Sequence, residues 1–498
     1  MNTIHFTNKN RSRTTREKEN HVMNFPELNF KPTLRVLDDL QMEQIHAATL
    51  EVLERTGVRF PHPKALAVLD GAGAQVDGDR VRIPAWLVED SIRRGPSRIV
   101  LGRRDGARSV FLERDKSWFG PSLDCIEYLD PVTEARRPFT SDDCRITATI
   151  ADALPNLSWV MTIGMAADKP PEIADRVIAR QVLTCCEKPF VFCCKDVNGT
   201  RDIYEMAVLI AGGESLFHQA PFLVHYSEPI SPLLYFEPAI EKIIFCAERG
   251  IPIINFPAPQ AGSTAPATFA GTIVQGSAES LSGLVLVQLI RPGAPFIYGA
   301  FATVMDMKTS IFSYGAPEMS LMVAAMAQMA QRYELPFFGT AGCTDAKFPD
   351  PQAAAEVAFS CLSSALSGAN LIHDAGSWID HGSVVSPSFM VLVDEVLHMV
   401  KQYMQGVEVS EETLALDLID RIGPGGHYLN EDHTMRHFRR VWYPELFDRT
   451  IYDDWHKQGA KRFEERLREK TLKVMDHSPA PLPPEIIKEL DKMEKHWE

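Results

Sequence analysis

The stretch 221–256, PFLVHYSEPISPLLYFEPAIEKIIFCAERGIPIINF, holds the pattern from which the fold is read. It opens on the apolar run Pro221–Tyr226, crosses polar and proline-punctuated residues into a helical pattern, and closes on a second apolar run, Ile251–Phe256. Short runs rich in β-branched and aromatic residues, bounded by turn residues, read as buried strands. A helical segment between two of them makes a crossover long enough to join parallel neighbours. Ser158–Ile163, Pro189–Cys194, Pro295–Ala300, Pro336–Thr340 and Asn370–His373 repeat the unit, with starts roughly 30 to 44 residues apart, the size of a βα unit. Seven such strands, with an eighth expected in or near Val110–Tyr128, predict an α/β chain folded as a (β/α)8 TIM barrel. A doubly wound sheet is the rival, but no glycine-rich dinucleotide loop follows any of the strands.

The flanks carry other patterns. Residues 1–25 are polar and mixed in charge, have no apolar core of a secretory signal, and are expected to be disordered. Residues 26–115 predict an N-terminal cap: an amphipathic helix over Gln41–Thr56 broken at Gly57, a second helix over Pro63–Gly71, and a hairpin over Ala74–Ile83 turning at Asp77-Gly78. The barrel is assigned to 116–385. Residues 386–498 predict a helical extension packed on it, with helices at Phe389–Gln405, Glu411–Ile422 and Lys461–Val474, then a last short one after the proline-rich Ser478–Pro484.

Composition narrows the function. The 498 residues carry a formal charge of −15, which argues against a nucleic-acid partner, since duplex binding needs a basic face. The most hydrophobic stretch, Leu281–Ile290, is too short to cross a membrane, so no membrane partner and a cytoplasmic location are expected. Nine cysteines with no CxxC pair point to reduced thiols. The doublets Cys185–Cys186 and Cys193–Cys194 leave zinc conceivable, but adjacent cysteines chelate poorly; buried thiols and no bound metal are expected.

In a barrel, reacting groups gather where strands end and βα loops begin. That rule selects Lys195, His225 to Glu228, Pro257 to Gln260, Tyr298 to Phe301, the loop Gly339–Lys347 and His373–Asp374. Aromatic residues are dense there: Trp118, Phe119, Tyr226, Tyr235, Tyr298, Phe301, Phe312, Tyr314, Phe338 and Trp378. Rings facing a cavity hold a quaternary ammonium by cation–π attraction, about 0.5 to 2 kcal/mol per ring, although most barrel aromatics are core. Glu228, Glu279 and Glu318 sit among small residues; each either faces a cation or caps a helix, and for Glu279 the two readings are equal. Cys343 is either a reactive thiol or a buried one in an ordinary loop. No nucleophile elbow, P-loop or zinc-protease motif is present, so the chemistry depends on something a partner carries.

The segment GTAGCTDAKFPDPQAAAE, 339–356, resembles the pyrrolysine-bearing loop of the trimethylamine:corrinoid methyltransferases, and aligning Asp345-Ala346-Lys347 places Cys343 at the pyrrolysine position. The resemblance extends to IHAATLEVLERTGV (45–58), AGTIVQGSAESLSGLVLVQLIRPGA (270–294), YGAPEMSLMVAAMAQMAQRYELP (314–336), ALSGANLIHDAGS (365–377) and MQGVEVSEETLALDLIDRIGPGGHYL (404–429). It implies a TIM barrel that passes a methyl group to the cobalamin of a separate corrinoid protein. Cysteine cannot form the imine adduct proposed for pyrrolysine, so the implied substrate is a quaternary amine, glycine betaine first, with trimethylamine, proline betaine, carnitine or a non-catalytic betaine-binding barrel as alternatives. The expected catalytic residues are Glu279, Cys343 and Asp345. The expected substrate-binding residues are Phe119, His225, Tyr298, Phe312, Tyr314, Phe338, Lys347 and His373. A substrate carboxylate would take His225, Lys347, His373 or loop N–H groups as donors. The expected partners are the corrinoid protein, the small amine and further copies of the chain.

Overall fold

The computed structural model describes residues 31–114 and 116–497, so the expected disordered start at 1–25 lies outside the described residues. The α/β order is present. Leu223–Ser227 pairs in parallel with Phe190–Phe192 on one side and with Ile253–Asn255 on the other, which in turn pairs with Phe296–Tyr298. A second parallel sheet orders Phe338–Thr340, Leu371–His373 and Trp118–Phe119. The last of these lies within the region expected to hold the eighth strand. Isolated parallel bridges link the two sheets at Tyr298–Phe337, Val160–Phe190 and Phe119–Leu157. At these seams the Tyr298 N–H donates to the Pro336 carbonyl at 2.9 Å, the Val160 N–H to Pro189 at 2.9 Å, and the Ser158 N–H to Phe119 at 2.7 Å.

The strands are shorter than their apolar runs for a physical reason. Pro189, Pro221, Pro295 and Pro336 open their runs but have no N–H to pair. The run Ser158–Ile163 contributes bridges and no longer strand; Ile163, at φ 62°, turns the chain out of the extended region.

Helices Val197–Ala211, Glu237–Arg249, Phe269–Ile290, Pro317–Arg332, Pro351–Leu366 and Pro387–Tyr403 follow the strands. Asp196, Asp350 and Ser386 accept the orphan N–H groups of Gly199, Ala353 and Phe389 at three of their starts. Phe269–Ile290 is longer than its hydrophobic stretch suggested: its 22 residues are long and apolar enough to cross a membrane by length and composition, yet 78% of its apolar window is buried. Its buried Ser277, Glu279, Ser280 and Ser282 all have protein hydrogen-bond partners, which marks it as a core helix.

The N-terminal helix runs Asp39–Glu51, with a capping box of Asp38 and Gln41, and its last turn, Val52–Thr56, widens to a π-helix. Gly57 stops it at φ 75°, where a Cβ would meet the Val81 carbonyl oxygen at 2.4 Å. The hairpin Gln75–Asp77 with Arg80–Arg82 turns at Gly78, φ 63°. Beyond Pro387–Tyr403, the single helix expected over Glu411–Ile422 is two, Glu411–Leu414 and Leu416–Ile422, broken where Ala415 sits at φ 51°. Helices Phe463–Met475 and Pro484–Glu494 close the chain.

Candidate active site

The loops after the strands build two small sheets of their own at the strand C-terminal ends. One joins Val384–Val385 to Glu127–Leu129 and Arg136–Pro138; the other joins Gln260–Ala261, Thr303–Asp306 and Ile311–Phe312. Between them lies an aromatic cluster. The His373 ring stacks on Phe338 at 4.5 Å and 7°, and Phe256 meets both edge-on at 4.8 and 5.0 Å. Phe301 stands 5.7 Å from His373 and carries Phe312, Tyr314 and Trp378 around it at 5.0, 5.4 and 5.9 Å. Tyr226 stands 5.8 Å from Phe338. Phe312, Tyr314, Phe338 and His373 are thus brought together, with Tyr226, Phe301 and Trp378 from the wider aromatic set.

Carboxylates face this cluster. Asp374 is fully buried, lies at φ 76°, and neither of its oxygens has a hydrogen-bond partner. His373 Nδ1 lies 2.5 Å from Asp374 Oδ1 but out of line for a hydrogen bond, while His373 Nε2 is 2.8 Å from Thr340 Oγ1. Glu228 accepts the Tyr226 hydroxyl at 2.6 Å, and burial holds its carboxyl above the ordinary range despite that bond. Burial and then the Glu228 charge push Asp124 up to about 7. Glu228 and Asp124 both keep solvent-exposed surface beside these groups. The Tyr226 and Tyr314 phenols are pushed well up, by burial first and then by Glu228 and Asp374. A fully buried carboxylate that accepts no hydrogen bond, with only the His373 ring against it, is costly unless a cation meets it.

Cys343 lies in the neighbouring loop, fully buried, its Sγ 3.9 Å from the Tyr314 carbonyl. Burial, with the Asp374 and Asp345 charges, pushes its thiol well above the usual value, so it is not a thiolate. Gly342 precedes it at φ 88°, with an added Cβ only 2.7 Å from Ala375 Cα: the two loops lock there. Asp345 points at backbone, accepting Ser313 Oγ at 2.6 Å and the Tyr314 and Gly315 N–H groups at 2.8 and 3.0 Å, and so holds the segment that carries Tyr314. Lys347 is half-exposed on the rim; its Nζ donates to the Asp345 carbonyl at 2.7 Å and lies 3.5 Å from Asp380.

Other expected residues are placed elsewhere. Ser227, Asn255 and Tyr298 lie side by side in register, so they share one face of the sheet. That face meets the helices: Tyr298 pairs with Ser277 Oγ at 2.7 Å, and Asn255 Nδ2 donates to Tyr235 Oη at 2.7 Å. His225 alternates onto the same face, its ring 5.3 Å from Phe192. Burial, then the Lys242 charge, pushes it well below its ordinary pKa, so the imidazole is neutral. Glu279, on the core helix, accepts Ser231 Oγ at 2.7 Å, Leu233 N–H at 2.9 Å and Gln275 Nε2 at 3.0 Å, and positions the loop after Leu223–Ser227. Phe119 is buried in the strand beside Leu371–His373. Phe256 and Asp124 were missed. Phe256 is one residue before the loop that the strand-end rule selected, and Asp124 follows a strand whose position the sequence left loose.

Among the described residues no group of three or more His, Cys, Asp or Glu side chains is placed to hold a metal ion. The sequence profile of the family described as trimethylamine methyltransferase (MTTB) matches residues 7–496. Trimethylamine methyltransferase MttB of Desulfitobacterium hafniense (strain DSM 10664 / DCB-2) is 34% identical over 90% of this chain and 91% of its own. Glycine betaine methyltransferase of Desulfitobacterium hafniense (strain Y51) is 31% identical over 91% of this chain and 95% of its own. Among solved structures, the monomethylamine methyltransferase MtmB of Methanosarcina barkeri matches with a TM-score of 0.51 at 13% identity, covering 94% of this chain and 89% of that one, a likeness of fold. The chain is a methyltransferase and belongs to the trimethylamine methyltransferase family.

Proposed function

We propose that the chain moves an N-methyl group from a quaternary amine, glycine betaine first, to the reduced cobalamin of a separate corrinoid protein. The observation that carries the reading is Asp374, a buried carboxylate without a hydrogen-bond partner beside a cluster of aromatic rings. Ring faces and a carboxylate are the two groups that recognise a permethylated nitrogen, which has no N–H to donate. Cys343, at the position that pyrrolysine holds in the resembling family, is a protonated thiol and supports a substrate that needs no covalent activation.

The partner's cobalamin supplies the nucleophile for displacement at the methyl carbon. The C–N bond breaks, its electron pair stays on nitrogen, and the amine leaves neutral and tertiary. Residues of this chain orient the ammonium and keep water from the reacting carbon, and orientation of this kind is worth up to about 7–11 kcal/mol. Ile126, Met165 and Phe348 present exposed apolar side chains on loops around the strand ends, a rim suited to a flat macrocycle and its carrier. Glu279 and Asp345 act by positioning; Lys347 on the rim is the donor nearest to hand for a substrate carboxylate.

The reading takes the two parallel sheets and their bridges as one closed (β/α)8 barrel over 116–385, capped by 26–115 and wrapped by 386–498. It takes the protein as cytoplasmic and homo-oligomeric. The test incubates the purified chain with a reduced corrinoid protein and glycine betaine, proline betaine, carnitine or trimethylamine, following cobalt methylation by absorbance. Methylation from a betaine and none from trimethylamine is expected; turnover of trimethylamine alone would overturn the quaternary-amine reading.

A further inference from the structure

Lys347 does not stand alone on the rim. Its Nζ lies 3.4 Å from Nε2 of His381, on the loop that follows Leu371–His373. The other ring nitrogen is already committed. His381 Nδ1 sits 3.1 Å from the Phe312 carbonyl and 3.1 Å from Asp345 Oδ1, both acceptors, so geometry assigns the proton of the neutral ring to Nδ1. Nε2 then carries a lone pair, and Lys347 is the donor in that contact. The acids nearby are spent elsewhere. Asp345 also accepts Ser313 Oγ and the Tyr314 and Gly315 N–H groups. Asp380, 3.5 Å from Lys347, is held by Arg136 at 2.7 Å, and Arg136 pairs with Glu127 as well. Both basic side chains keep surface open to solvent, 53% for Lys347 and 27% for His381, so a ligand can reach them. The backbone beneath is strained: Asp380, His381 and Gly382 are left-handed in succession, at φ 50°, 57° and 79°. Such conformations persist where the surroundings over-determine them, and they gather at ligand clamps. Here the surroundings are the candidate site. Phe312, whose carbonyl meets His381, has its ring 5.0 Å from Phe301, and a Cβ on Gly382 would stand 3.1 Å from the Tyr314 hydroxyl oxygen. A single residue, Phe312, thus links this pair of basic groups to the aromatic cluster.

We propose that Lys347 and His381 together form a carboxylate subsite at the mouth of the candidate site, and that His381 sets the preference for a substrate bearing a carboxylate beside its ammonium. The inference rests on the ammonium reading of the aromatic cluster. A carboxylate has two oxygens, and the Nζ–Nε2 contact offers it two nitrogens side by side. One oxygen accepts from Lys347 Nζ in place of the contact to Nε2. The other accepts from His381 Nε2, which takes up a proton from solvent as the anion arrives. Nδ1–H keeps its two acceptors, so the ring need not turn. The charged groups that face this imidazolium are Asp345, Asp380, Lys347 and, behind Asp380, Arg136. The two acids favour the charged ring and the two cations oppose it. The substrate carboxylate tips that balance. An ammonium without a carboxylate brings no such anion and gains nothing here.

Calorimetric titration of the full chain at about pH 7 with two probes tests this: glycine betaine, and tetramethylammonium, which has the cation without the carboxylate. The wild type is expected to bind glycine betaine about tenfold or more tightly than tetramethylammonium. His381→Asn keeps the path of the loop, since asparagine tolerates φ near 57°, but cannot become a cation. Lys347→Met keeps the apolar stem and drops the charge, at a position with ordinary backbone. Each variant is expected to weaken glycine betaine about tenfold and to leave tetramethylammonium within about threefold. A general loss of folding or of the aromatic cluster would weaken both probes alike, so the split is what identifies a carboxylate subsite. A wild type with no preference for glycine betaine, or variants that lose both probes equally or neither, would overturn the proposal. A wild type that binds neither probe would sink the ammonium reading of the cluster, and the subsite with it, a result distinct from the others.

Discussion

At the scale of single residues the proposed site divides into groups that would touch a substrate and groups that hold them in place. Cys343 is buried, protonated and packed against the Tyr314 backbone, a setting for packing and not for attack. Cys343→Ala is therefore expected to keep methyl transfer within about tenfold of wild type, a change of about 1.4 kcal/mol. Loss beyond a thousandfold with an intact fold would assign it a covalent role. Asp124 sets a pH dependence. Its carboxyl keeps its proton up to about 7, with Glu228 and Lys242 the charged neighbours that act on it, so its negative charge is available to an ammonium only above that point. Affinity for a quaternary ammonium should rise with pH, by up to about tenfold per unit below the midpoint, and level off above it. Calorimetric titrations from pH 5.5 to 8.5 would show this slope in the wild type and a flat profile for Asp124→Asn with Glu228→Gln; equal slopes would remove Asp124 and Glu228 from cation binding.

At the scale of elements, the strand runs were legible because parallel strands are buried on both faces and so read as continuous apolar stretches. The same continuity hides which side chains face the site. In PFIYGA nothing in the sequence separates Tyr298, on the helix side, from its neighbours. In IPIINF, Phe256 faces the cluster while Asn255, beside it, faces Tyr235. Register decides this, and register is a property of the sheet. Glu279 shows the same limit: its small-residue setting suited both a cation site and a structural bond, and the structure places it on the loop Ser231–Leu233. Burial pushes its carboxyl from 4.5 to about 7. The native state thus holds a proton that the unfolded chain releases above about 4.5, and stability falls as pH rises from 4.5 to 7, by roughly 3 kcal/mol at most. Glu279→Gln removes that titration. Between pH 5 and 8 its Tm should fall a few degrees less than that of the wild type. Parallel Tm curves would show that Glu279 is already ionised in the native state at pH 5.

At the scale of the whole molecule, short seams join the two parallel sheets. The rhythm of strand and helix was legible over 158–373, yet closure was not, because it rests on seams of one or two residues and not on any run a sequence displays. The seams are specific. Tyr298 N–H to Pro336, Ser158 N–H to Phe119 and Val160 N–H to Pro189 are the bonds that join one sheet to the other, while Val191 N–H returns to Val160 at 2.8 Å. If the ring is closed in solution, opening any seam exposes the aromatic interior, including Phe338 and Trp159, and these amides exchange only with global unfolding. Native-state hydrogen exchange should then protect Ser158, Val160 and Tyr298 to within about tenfold of Val224 and Ile254 in the middle of the four-stranded sheet. If the sheets are separate edges, the three seam amides should exchange like loop amides, orders of magnitude faster, while Val224 and Ile254 stay protected. Intermediate protection at one seam alone would locate the weak joint. The 157–160 seam is the first candidate, since there the chain makes bridges without a strand, and Ile163 turns away three residues later.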